Sequence, residues 1–219
     1  MIGQPRAHWR LTDSTNERAR ELAGAGAPHG TLVTADEQSA GRGRQGRVWT
    51  ALPRAAVLMS LVLRDFDPLL PLAAAVAVCE ACESAAPVSC EVKWPNDVWI
   101  ERRKVAGILV EGRPQEGWAV LGIGVNARAE EFPAELRAIS LGVPVDAVLR
   151  ALLAALDRWL GEPSASVLAA WRQRDALLGE RVGWGGGQGV AAGVDDSGAL
   201  LVDTSDGRVA LDAGEVHLT

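Results

Sequence analysis

The stretch "DVWIERRKVAGILVEG", residues 97–112, reads as two β-strands around a charged turn at Glu101–Arg103. Its neighbours are strands as well. On the N-terminal side "SCEVKWPND" (89–97) is extended, with Trp94 biased to extended geometry because a proline follows it. On the C-terminal side "GWAVLGIGVN" (117–126) is an apolar run ending in Gly-x-Gly-x-Asn. Further upstream, "GTLVTADEQ" (30–38) has the β-favouring Thr31, Val33 and Thr34, and "AAVLMSLVLR" (55–64) is a second apolar strand. Helices flank this group of strands. "DSTNERARELAGAG" (13–26) carries N-cap candidates Asp13, Ser14 and Thr15, with Glu17 at capping-box spacing from Ser14. Residues 68–86 form a helix opened by Pro68, and two more helices cover roughly 145–161 and 164–179. Clustered strands without strict βαβ alternation predict an α+β fold, a mixed β-sheet with flanking helices.

From Gly179 the texture changes to short β-prone runs separated by the turns "DDSG" and "SDG". This predicts a small all-β barrel of about five strands, giving units at 1–178 and 179–219. A unit of about 40 residues has too little core to stand alone, so it is expected to pack on the larger one.

The chain has 219 residues, a net charge of -6, 48 % hydrophobic and 23 % charged residues. That acidity argues against a surface built for nucleic acid or anionic membrane. The longest apolar run contains Pro71, Glu80 and Glu83, so no membrane span is expected. The first 17 residues lack the apolar stretch of a signal peptide, which places the protein in the cytoplasm. Cys79, Cys82 and Cys90 are an odd count with scattered histidines, and are read as buried thiols in an Ala-rich helix rather than a zinc site.

Positive charge is concentrated instead in "AGRGRQGRVW", residues 40–49. Gly41, Gly43 and Gly46 permit close backbone approach and an anion-binding nest, and predict a loop without order of its own. Arg42, Arg44 and Arg47 add forked donors for phosphate or carboxylate, and Trp49 a flat face for a ring. The loop is not a Walker A motif. A second constellation is Lys93, Asn96, Asp97, Lys104 and Gly107. Asp97 is a candidate magnesium ligand, Lys104 is placed to reach a pocket floor, and Gly107 leaves room beside the backbone. A third is Gly122, Gly124 and Asn126, where the glycines imply close approach of a ligand or another chain. No Ser/His/Asp or Cys/His set is present, so the chemistry expected is charge stabilisation and positioning, as at a nucleotide phosphate.

At these residues the chain resembles the biotin protein ligases. Four blocks carry the resemblance in order: "DSTN", "EQSAGRGRQGRVW", "KWPNDVWIERRKVAGILVE" and "GIGVN". It spans about residues 10–127 and extends more weakly to the C-terminal barrel, which it implies is SH3-like. It implies a biotin/lipoate ligase-like fold and a two-step reaction: biotin and ATP give biotinyl-5′-AMP and pyrophosphate, then a lysine of a biotin carboxyl carrier domain takes the biotinyl group. Magnesium accompanies ATP. The resemblance makes Lys104 the central lysine. Arg44 and Arg47 hold phosphates, and Arg44 also retains the intermediate. Ser14, Thr15, Asn16 and Gln38 bind biotin, with Gly41 and Gly107 beside them and Arg42 and Gly43 contributing through backbone. Trp49 walls the ligand, Asn96 and Asn126 touch the nucleotide, and Asp97 touches the metal. Members with a repressor function carry a helix-turn-helix domain first, for which a "DSTN" block beginning at residue 13 leaves no room, so DNA is not an expected partner. A monomer or weak homodimer is expected. Two rival readings are a lipoate-type ligase, whose loop typically runs Arg-Arg-x-Ser-Gly-Gly-Gly, and a nucleic-acid-binding module using the arginine loop.

Overall fold

The computed structural model describes residues 2–128 and 131–219. In chain order it contains β1 (Arg6–Trp9), α1 (Thr15–Gly24), β2 (Leu32–Ala35), β3 (Ala56–Leu63), α2 (Leu70–Ala85), β4 (Glu91–Lys93), β5 (Asp97–Ile100), β6 (Arg103–Arg113) and β7 (Trp118–Asn126). It continues with α3 (Val145–Trp159), α4 (Ser164–Arg172) and β8 (Arg181–Trp184). The last strands are β9 (Gly187–Val194), β10 (Leu200–Thr204), β11 (Gly207–Leu211) and β12 (His217–Leu218).

The first sheet has seven strands in the order β1-β2-β3-β7-β6-β5-β4. Only the β1–β2 pair is parallel, so the sheet is mixed, as expected. Central β3 and β7 are buried along their whole length, which is why their sequences are continuous apolar runs rather than alternating ones. The Ala-rich α2 is buried almost all round, with α3 and α4 packed against it on one face of the sheet. Its first turn holds Pro71, where a missing N–H costs nothing. On the other face α1 lies over β3 and β7, where Ala19 and Ala23 meet Val33, Val62 and Val120. The rest of that face is left open, and the candidate site occupies it.

Two local expectations are corrected. Ser14 takes the N-cap position of α1 but makes no capping bond, and Glu17 turns to Arg20 and Arg42 instead of closing a capping box. Strand β1 was not foreseen: "RAHW" shows no marked periodicity, and its partner β2 is reached only across α1. All three cysteines are buried in the core as free thiols.

The C-terminal strands form a separate antiparallel sheet, ordered β11-β10-β9-β8-β12. It packs directly on the larger unit. The Trp94 indole donates to the Gly198 carbonyl at 3.1 Å, and a Cβ at Gly198 would stand 3.0 Å from the Leu69 side chain. Val182, Val194, Leu200, Val202 and Val216 belong to the same hydrophobic cluster as α2 and β5.

Candidate functional site

Sheet register builds the site floor. Directly opposed residues share a face, so Leu58, Gly124, Gly107 and Asp97 form one row across four strands. The next row is Ser60, Gly122 and Leu109, and the one after it Val62, Val120 and Glu111. The glycines leave a hollow in this face, and the N-terminus of α1 and the 40–49 loop wall it.

The close approach predicted at the glycines is real, but the partners are side chains of this same chain. A Cβ at Gly122 would overlap Asn16 Oδ1, and one at Gly124 would overlap the Trp49 indole. Gly107 likewise faces Trp49 and Lys104, whose Nζ would stand 3.3 Å from an added Cβ. Trp49 therefore lies flat on the glycine floor, with its buried Nε1 lacking a partner among the described residues.

The helix α1 end carries a polar network. The Ser60 hydroxyl, fully buried, donates to Asn16 Oδ1 at 2.6 Å and lies 2.9 Å from Thr15 Oγ1. Gln38 Oε1 accepts from the Thr15 amide N–H at 2.7 Å. With its oxygen so engaged, Gln38 offers Nε2 donors to the cavity. Asn16 Nδ2 donates to Glu111 at 2.8 Å. Ser14, buried and without a capping bond, lines the same cavity.

The arginine loop is folded, contrary to the expectation from its glycines. Gly43 N–H donates to the Arg47 carbonyl at 2.8 Å and Trp49 N–H to the Gly41 carbonyl at 3.0 Å. A short 3-10 turn spans Arg44–Gly46, with Gln45 at φ 53 and Gly46 at φ 77. The three guanidinium groups diverge. Arg42 turns away to Glu17 at 3.0 Å and Glu111 at 2.8 Å. Arg44 points into the cleft and reaches the Gly214 carbonyl at 3.5 Å. Arg47 pairs with Glu215. The C-terminal unit thus contributes Gly214, Glu215 and His217 to the cavity wall, which no motif announced.

Lys104 stands at the centre. Its Nζ is 2.7 Å from Asp97 Oδ1 and 5.6 Å from the Trp49 ring centroid. Its backbone is clamped by the following segment, with Lys104 N–H to the Arg137 carbonyl at 2.7 Å and Ile139 N–H to the Lys104 carbonyl at 3.0 Å. Asn126 Nδ2 donates to the Ile139 carbonyl at 3.1 Å. Lys93 lies close by, and burial pulls its ammonium below the ordinary lysine range, with Asp97 opposing. Burial does the same to Arg44, opposed by Asp97 and Glu215. Buried cations that lack a full set of counter-ions favour an incoming anion.

Of the residues singled out from the sequence, most line one cavity: Ser14, Thr15, Asn16 and Gln38 at one end, Arg44, Arg47, Asn96, Asp97 and Lys104 at the other, with Arg42, Gly43, Trp49 and Gly107 between. Asn126 lines the adjoining groove, which also takes in Lys93, Trp99 and Leu136. Gly41 shapes the loop from behind Trp49 and Gln38. Asn96 is tied down by its Nδ2 bond to the Ile108 carbonyl at 3.0 Å. Among the described residues no group of three or more His, Cys, Asp or Glu side chains forms a metal cage.

The biotin/lipoate A/B protein ligase family matches residues 9–127, and the biotin protein ligase C-terminal domain matches residues 186–218. The biotin–[acetyl-CoA-carboxylase] ligase of Mycobacterium tuberculosis is 35 % identical over 94 % of this chain and 86 % of its own length. The bifunctional ligase/repressor BirA of Bacillus subtilis is 34 % identical over 100 % of this chain and 75 % of its own. The structure of Aquifex aeolicus biotin protein ligase in complex with biotin and ATP superposes with a TM-score of 0.83 at 28 % identity, covering 99 % of both chains. The chain belongs to the biotin/lipoate A/B protein ligase family, among its biotin protein ligases.

Proposed function

We propose that the protein activates biotin with ATP and transfers the biotinyl group to a lysine of a biotin carboxyl carrier domain. One observation carries this reading: a half-buried ammonium, Lys104, sits where a polar cavity meets a cationic groove, with Arg44 and Lys93 beside it. Both reactants of the first step are anions, and their repulsion is the main obstacle to attack. Lys104 leaves Asp97 to bridge the biotin carboxylate and the α-phosphate, stabilising charge as the carboxylate oxygen bonds to phosphorus. The bond from the α-phosphorus to the bridging oxygen breaks, and pyrophosphate leaves with the electron pair. In the second step the acceptor amine attacks the acyl carbon and AMP departs.

The cavity end at Ser14, Thr15 and Gln38 suits the ureido ring, which needs donors for its oxygen and acceptors for its N–H groups. Arg44 and Arg47 exchange Gly214 and Glu215 for phosphate oxygens. Trp49 moves off the glycine floor to cover the bound ligand, which gives its unpaired Nε1 a partner. Asn96 and Asn126 hold the β6 and 131–141 segments that border the nucleotide end, and so act through backbone. Magnesium bound with ATP fits the carboxylate this site offers beside Lys104: Asp97 with the triphosphate would hold it, and it would neutralise phosphate charge there.

The test is to mix the protein with biotin, ATP, magnesium and a carrier domain and weigh the carrier. One added biotinyl group is expected, and an unchanged mass refutes the reading. Lys104→Ala should release pyrophosphate about 10²–10³-fold more slowly, as for loss of one preorganised donor. Near-normal release would remove Lys104 from its role.

A further inference from the structure

Glu111 closes the third motif block, lies one row beyond the glycine floor at the far end of β6 from Lys104, and takes no role from the resemblance. Its carboxylate is only partly accessible and divides itself between two parts of the site. Oε2 accepts from Asn16 Nδ2 at 2.8 Å, and Oε1 accepts from Arg42 Nη2 at 2.8 Å, with Arg20 at 3.7 Å.

Each bond fixes something. Asn16 is 4 % exposed and trapped between Ser60, Glu111 and the Cβ-less Gly122. With Oδ1 accepting from Ser60 and one N–H given to Glu111, its amide has a single allowed orientation. Ser60 in turn contacts Thr15, which orients Gln38. Arg42 opens the arginine loop, and two carboxylates, Glu17 and Glu111, hold its guanidinium outside the cavity. Arg42 and Gly43 still line the cavity, with the Gly43 N–H given to the Arg47 carbonyl at 2.8 Å. Glu111 is therefore the joint at which β6, the start of α1 and the start of the loop are held together.

We propose that Glu111 is a positioning residue for the ureido end of the cavity: it presents Asn16 and the 42–43 backbone to the ligand without touching it. This rests on the reading of that cavity as the biotin site. Glu111→Gln keeps an acceptor for Asn16 and loses the charge on Arg42, whereas Glu111→Ala loses both.

Three measurements on wild type and both variants decide it. In calorimetry with biotin alone, the dissociation constant rises about 10-fold for Glu111→Gln and about 100-fold for Glu111→Ala, the scale of a displaced positioning group. At saturating biotin, kcat for pyrophosphate release and KM for ATP stay within about 3-fold, because the loss is one of ground-state binding at one end of the site. In ligand-free protein, trypsin cuts after Arg42 faster in Glu111→Ala than in wild type, while cleavage after Arg44 and Arg47, held by Gly214 and Glu215, is unchanged. An unchanged biotin constant in both variants overturns the proposal, as does a loss of kcat and of ATP affinity as large as the loss for biotin. Should wild type itself bind no biotin, the functional reading fails, and the tryptic comparison still decides Glu111: equal cleavage rates overturn its hold on the loop.

Discussion

At the scale of single residues the site depends on atoms that are missing as much as on those present. Gly122 has no Cβ, and Asn16 occupies the space one would take. Gly122→Ala therefore displaces a buried amide bonded to Ser60 and Glu111 in a close-packed region, costing about 1–3 kcal/mol. A lowered melting temperature together with a biotin affinity reduced by about tenfold or more is expected. An alanine variant with unchanged biotin affinity would show that Asn16 has room to move. Lys93 makes a second case, through its charge. Burial lowers its pKa in the folded protein, so at alkaline pH part of the population is neutral. An incoming triphosphate stabilises the ammonium and raises that pKa, so ATP binding takes up a proton. Calorimetry in two buffers of different ionisation heat should show uptake that grows as pH rises toward the free-state pKa, and proton release would contradict it. The motif blocks made Lys104, Arg44, Gln38 and the glycines legible in the sequence. Ser60, Glu111 and Glu215 were not, because each acts on a partner far along the chain. Ser60 is 44 residues from Asn16, Glu111 is 95 from Asn16, and Glu215 is 168 from Arg47. Spacing arguments reach along a helix or strand, and these contacts exist only after the sheet has formed.

At the scale of elements, the β5–β6 hairpin places Asp97 and Lys104 side by side, and its turn departs from the best local chemistry. Ile100 pairs with Arg103, leaving a two-residue loop in which Glu101 has φ 50 and Arg102 has φ 58. Such a loop matches strand twist, but both positions favour Asn and Gly over longer side chains. Holding two non-glycine residues there costs about 1 kcal/mol or more each. The Arg102–Glu180 pair, half-exposed at 3.1 Å, gives back less than about 1 kcal/mol. Glu101→Asn with Arg102→Gly should thus raise the melting temperature by about 2–4 °C, with adenylation unaltered because the register to Lys104 is kept. A fall in melting temperature would mean that Glu180 matters more than exposed pairs usually do. The charged turn and both strands were readable from apolar runs broken by "ERR". Strand β1 was not, since a four-residue edge strand with half its side chains exposed has no hydrophobic signature.

At the scale of the molecule, the two sheets share a core and a site. The second unit covers Trp94 and the start of α2, and its Gly214 and Glu215 meet Arg44 and Arg47 above the cavity. Its strands bury their valines and leucines in the same cluster as the first sheet's. Strand β4 at the edge of the large sheet is likewise completed by the segment leading out of α4, where Val92 N–H donates to the Arg174 carbonyl at 2.7 Å. A unit of about 40 residues with so little core of its own gains its stability from this interface. The large unit in turn relies on it to cover Trp94 and to finish the phosphate end of the cleft. The consequence is one cooperative transition: calorimetric and van't Hoff enthalpies of unfolding should agree, with a single peak. A chain ended after residue 178 should then lose solubility and lose more affinity for ATP than for biotin, because the wall that Gly214, Glu215 and His217 give the phosphate end is gone while the Ser14–Gln38 end keeps its own. Two resolved peaks, or a truncated protein with wild-type affinity for ATP, would show instead that the units fold apart and that the small one is dispensable to the site.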